Sequence, residues 1–322
     1  MQSFRASPVF SLVVLLTLAL AAFIGVILVQ PDWIAALAGP TTAGHIGQHF
    51  RDPHHRVHDL TFSLLLGTGV LGMLTQLRTP AKNGAGQLMA LIPFIGLVLA
   101  LALTNQAVLQ LPWVSIGALT LIATVLRPTG RDLFRSVNFP RLNWVMLALV
   151  IIAAAPLLAF ASANIGLQRA IADDHAALGH YGFMVAFSFT VIGVGLLASL
   201  RPAGWWLAAW VAGLLPALLG LTSMVVPSAE SSLDLIWALV AIAWGVAFIA
   251  AAEIVRRSAR GQTVHAGSVT DAGDAGVGPG RIPGNRTPMG VYVSAVIGLA
   301  LVLLFAIMHL SGGGFGGLHA VR

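Results

Sequence analysis

Nine stretches of this chain are long and apolar enough to cross a membrane, and that leaves few folds open. A helix needs about 20 mostly apolar residues to span the hydrocarbon core, and residues 9–29, 58–77, 87–103, 111–126, 144–162, 180–200, 204–224, 233–254 and 289–310 approach or exceed that length. Lipid admits only helices or closed barrels, and these runs lack the period-two alternation of barrel strands. The expected fold class is therefore all-α, a polytopic integral membrane protein of about nine transmembrane helices. With 57% hydrophobic and only 9% charged residues, a chain of 322 residues has too little polar surface for a soluble domain.

The basic residues sort by connection. Arg5, then Arg78 and Lys82, then Arg127, Arg131, Arg135 and Arg141, then Arg201, then Arg256, Arg257 and Arg260 occupy alternate loops. By the positive-inside rule those loops are cytoplasmic, so the N-terminus is expected inside and the C-terminus outside a plasma membrane. The opposite loops hold Arg51, Arg56 and Arg169 together with most of the acidic residues. The formal net charge of +6 is thus accounted for by topology rather than by nucleic acid, which needs a basic, groove-reading soluble surface. The expected partners are the lipid bilayer and other membrane proteins. The first stretch reads as an uncleaved signal anchor, because no A-x-A-like site follows it. Cysteine is absent, which excludes disulfides, thiolate metal sites and iron–sulfur clusters within this chain.

Laying residue 58 on residue 180 pairs His58 with His180, Thr68 with Thr190, Leu74 with Leu196 and Pro80 with Pro202. Each copy starts with histidine on the outside and ends at an inside Arg-x-Pro or Arg-Pro turn. This implies two parallel four-helix repeats, 1–142 and 143–256, within an eight-helix membrane domain spanning 1–256. Residues 257–288 are rich in Gly, Ala, Ser, Thr, Asp and Pro without apolar periodicity, and read as a disordered cytoplasmic linker. Residues 289–322 then supply a ninth helix and a short external tail.

On this topology nine of the ten histidines fall on the outer side: His45, His49, His54, His55, His58, His175, His180, His309 and His319, with His265 alone in the linker. The sharpest local signal is RDPHHRVHD. Asp52 is a good N-cap and Pro53 suits the first helical position, so the second helix is expected to begin there with His54, His55 and His58 in its opening turns. His58 lies four residues from His54 and three from His55, so it shares a helix face with either. The positive end of the helix dipole favours neutral imidazole, the form that coordinates metal. A second cluster, ADDHAALGHYG, supplies Asp173, Asp174, His175 and His180. His175 and His180 are five apart, so both reach one ion only if a helix starts between them.

These residues define the expected sites. His54, His58 and His180 are the leading metal ligands, with His55, His175, His309 and Asp174 in reserve. Imidazole with carboxylate suits a transition metal such as Cu, Zn or Fe, and His58 facing His180 as an axial pair would suit haem. Asp52 and Asp59 are candidate oxygen ligands or acceptors that fix a histidine tautomer.

The membrane interior is almost free of ionisable groups, which argues against a proton relay. Without a lysine in any span, a retinal Schiff base is excluded there. Pro93, Pro156 and Pro216 interrupt three helices, and broken helices can line substrate paths. Gly67, Gly69, Gly72, Gly193 and Gly195 are expected close-packing positions. No phosphate loop, nucleophile motif or dinucleotide fingerprint assigns an enzymatic reaction. In helix count alone, two four-helix units with histidines near the outer face resemble haem A synthase. That family places histidines on further helices of both bundles, so none of its residues is carried over. The reading is a membrane protein with an outer metal or haem site in redox chemistry or metal handling. The alternatives are a small-molecule permease, or a subunit or assembly factor of a larger membrane complex.

Overall fold

The computed structural model describes residues 7–29, 56–78, 80–104, 111–127, 142–172, 174–229 and 231–268. Every regular element among them is helical: α1 (Pro8–Val29), α2 (Arg56–Arg78), a 3-10 turn (Pro80–Lys82), α3 (Gly84–Thr104), α4 (Leu111–Leu126), α5 (Trp144–Ala170), the short α6 (Asp174–Ala177), α7 (His180–Leu200), α8 (Trp205–Val225) and α9 (Leu235–Ser268). Seven of these helices are long and apolar enough to cross a membrane, and α4 is a shorter apolar helix. Apolar side chains left on the outside, such as Phe23 at 63% and Val125 at 74% exposure, suit contact with lipid tails.

Eight of the nine expected stretches correspond to a helix. The ninth, 289–310, lies outside the described residues. α9 continues helically through Ser268, into the stretch expected as a linker. The span beyond Ser268 lies outside the described residues. Pro93, Pro156 and Pro216 sit inside α3, α5 and α8, and each helix runs on past its proline. These are tolerated prolines, not helix breaks.

The core is organised around α7, whose membrane window is 72% buried, against 33% for α1 and α5. It packs against α5, α3, α8 and α2. Small residues let these helices approach. A Cβ at Gly193 would stand 2.8 Å from Ile92, and one at Gly72 would stand 2.4 Å from the Gly86 carbonyl. A close crossing unforeseen from sequence joins α8 to α9, where a Cβ on Gly213 would meet the Gly245 carbonyl at 2.6 Å and one on Gly245 the Gly213 carbonyl at 2.2 Å. Gly67, expected in the same role, has nothing within 4 Å of its Cβ position and is not a packing residue.

Several hydroxyls within the bundle donate to carbonyls of their own helices, since lipid offers no partner. Thr68 donates to the Leu64 carbonyl and Thr190 to that of Ala186, both at 2.8 Å. At the basic end the α2–α3 turn locks onto the α7–α8 turn, as the Ala85 amide donates to the Ala203 carbonyl at 2.9 Å. Arg127 reaches under this junction and donates to the Pro80 carbonyl; burial holds its pKa below the ordinary arginine value. The starts of α2, α7 and α9 and the end of α5 meet at the opposite end of the bundle.

Candidate metal centre

Three elements each bring one imidazole to that end. α2 opens at Arg56, which puts His58 in its first turn, 2% exposed. α7 opens on His180 itself, 9% exposed. Between α5 and α7 the four-residue α6 carries His175, and the chain turns into α7 through Gly179 at φ 75°, a left-handed conformation that glycine adopts without steric cost. A new helix therefore does start between His175 and His180, and the five-residue spacing that would separate them on one continuous helix becomes a corner that brings them together.

The ring centroids form a triangle: 5.1 Å from His58 to His175, 5.3 Å from His58 to His180 and 5.6 Å from His175 to His180. One nitrogen from each ring lies within 4.8 Å of the others, a grouping that could hold a metal ion. Tyr181, fully buried, meets His58 edge-on at 5.6 Å. Its ring also lies 6.1 Å from that of His175.

A second layer of polar side chains backs the triangle. His58 Nε2 and Ser231 Oγ are 2.9 Å apart, Ser231 Oγ donates to Asn164 Oδ1 at 2.9 Å, and Asn164 Nδ2 donates to the Phe160 carbonyl at 2.9 Å. One turn further along α5, Gln168 donates to the Ala176 carbonyl at 2.7 Å and accepts from the Gly182 amide at 3.2 Å. It thus staples the α6 corner to the start of α7.

Of the sequence-predicted ligands, the fold brings His58, His175 and His180 together. Asp174 lies beside His175 in α6, but its side chain is outside the described set, as are residues His54, His55 and His309. Asp59, next to His58, is not part of the grouping. Asp234 instead caps α9, accepting from the Trp237 amide at 2.9 Å. Further along α9, Glu253 accepts from Trp206 and Trp210 and pairs with Arg256 at 2.7 Å. The sequence reading missed Asn164, Gln168 and Ser231. The available signal was the four-residue spacing of Asn164 and Gln168, which puts two amides on one face of an otherwise apolar helix.

Below this layer an apolar cavity of about 80 Å³ opens among α5, α7, α8 and α9, lined by Pro156, Phe160, Pro216, Leu219, Leu233 and Trp237 among others. Its walls offer essentially no polar group that could ligate an ion. Compared with known proteins, the chain matches no family model, no curated sequence and no solved structure. The functional reading therefore rests on the histidine triangle and its surroundings.

Proposed function

We propose that this chain is a multi-pass plasma-membrane protein that binds one transition-metal ion between His58, His175 and His180 at its outer face, in a metal-handling or redox role. The observation that carries this reading is the convergence of three imidazoles from three separate elements, with ligand nitrogens within 4.8 Å of one another. Metal–nitrogen bonds of about 2.0–2.1 Å place tetrahedral ligands about 3.3 Å apart, so modest rotation of the rings closes the site around an ion. Nitrogen-only ligation suits Zn, Cu or Fe. Three protein ligands leave a fourth position for water, a passing ligand or a further side chain, the arrangement of reactive rather than purely structural sites. Asp174, His54, His55 and His309 are the candidates for that position from this chain.

A haem held by His58 and His180 has less support. Two axial bonds of about 2 Å would set the ring centroids about 6 Å apart with a macrocycle between them, whereas the rings stack at 5.3 Å with His175 at their side. The basic loops support an inside N-terminus and an outside C-terminus. The pairing of His58 with His180 at equivalent helix starts supports two parallel repeats with a ninth helix added.

Elemental mass spectrometry on the detergent-purified protein tests the reading. Near-stoichiometric Cu, Zn or Fe is expected in the wild type and a marked loss in His58→Ala. Equal metal content in the two proteins would overturn it.

A further inference from the structure

We infer that Asn164 and Ser231 are positioning residues that fix the tautomer of His58, so that the ion is taken by Nδ1 rather than Nε2; this rests on the metal-site reading above. The direction of every proton in the chain follows from its last member. The Phe160 carbonyl can only accept, so the Asn164 atom 2.9 Å from it is the amide nitrogen. That orients Oδ1 toward Ser231, and an amide oxygen can only accept, so the single hydroxyl proton of Ser231 is committed to Asn164. What Ser231 presents to His58 at 2.9 Å is then a lone pair. The Nε2 atom must carry a proton to meet it. In the neutral ring the coordinating lone pair is consequently on Nδ1.

Metal-bound histidines are commonly oriented by such a partner, which raises ligand basicity and holds the ring in place. Here the partner is a neutral serine–asparagine relay rather than a carboxylate. All three members are nine-tenths or more buried, with Asn164 and Ser231 each 2% exposed, so water does not compete for these bonds. The relay also ties together the elements that need to be in register for the site to exist, because Asn164 belongs to α5, Ser231 precedes α9 and His58 opens α2.

The test uses the full-length protein in detergent, Co(II) as the probe, and His58→Ala, Ser231→Ala and Ser231→Thr beside the wild type. Visible Co(II) absorption reports affinity, and imidazole 15N NMR of the metal-free wild type reports the tautomer. Ser231→Ala is expected to weaken Co(II) binding by about 10–100-fold, the usual effect of removing such a partner, and Ser231→Thr, which keeps the hydroxyl, to restore most of it. The nitrogen shifts are expected to show Nε2–H at His58. A proton on Nδ1 in the wild type overturns the inference without needing any variant to fold. Unchanged affinity in Ser231→Ala, with His58→Ala still abolishing binding, overturns the relay and leaves the metal site standing. Equal weakening in the alanine and threonine variants also overturns it. A wild type that binds no Co(II) removes both readings.

Discussion

The rings of His58 and His180 stack with their centroids 5.3 Å apart and their planes inclined by 30°, although the two residues open helices in different halves of the chain. Each stands within the first turn of its helix.

Because protons and metal ions compete for the same nitrogen lone pairs, occupancy is expected to fall as the pH is lowered and to recover as it is raised. Three imidazoles make the loss steeper than one proton per ion. Equilibrium dialysis of Zn(II) across a pH series reads the slope; a flat profile, or one proton per ion, would argue that fewer than three histidines bind.

Replacing Gln168 by leucine removes both bonds that tie the α6 corner to α7. Leaving the Ala176 carbonyl and the Gly182 amide without that partner is expected to destabilise the corner by about 1–3 kcal/mol. The packing of the long helices persists, while His175 loses its fixed place and metal affinity drops. Circular dichroism together with Co(II) titration separates these effects, and unchanged affinity would show that His175 is held by other contacts.

Gly213→Val should disrupt the α8–α9 crossing, since even a Cβ at this position would stand 2.6 Å from the Gly245 carbonyl and 2.7 Å from Ile249. Overpacking of this kind costs about 1–3 kcal/mol, which thermal unfolding in detergent would register as a lowered midpoint. The same substitution at Gly67, whose Cβ direction is open, is expected to change the midpoint little.

The chain contains no cysteine, so single introduced thiols report topology cleanly. With the histidine end outside, a membrane-impermeant maleimide should label Ala177→Cys in intact cells and label Lys82→Cys only after the cells are opened. The reverse pattern would invert the orientation.

The helices were legible because apolar length is a local property, and each of the first eight stretches corresponds to a helix within a few residues at most boundaries, α5 and α9 running further. Those two continue past the apolar run because hydrogen bonding, not hydropathy, ends a helix: Gln168 and the Ala170 terminus extend α5, and α9 carries on through a basic segment. His58 and His180 were readable as helix starts. That His175 joins them depended on Gly179 turning the chain, which the spacing posed as a condition and the backbone fulfils. Ser231 was not readable, and Asn164 showed only as an amide four residues before Gln168, since their joint role exists only through contacts between α5, the loop before α9 and His58 on α2. Gly67 and Gly213 show the same limit, because a glycine's neighbours are set by which helix face meets which.

The corner at Gly179 and the opening of α2 come from distant parts of the chain, so an ion held between His58, His175 and His180 would act as a clasp across it. Binding to the folded state alone adds about 2.7 kcal/mol to stability when free metal is 100 times Kd. Retention of the ion and cohesion of the two halves would then be a single thermodynamic quantity, and a chelator would loosen the bundle as well as empty the site.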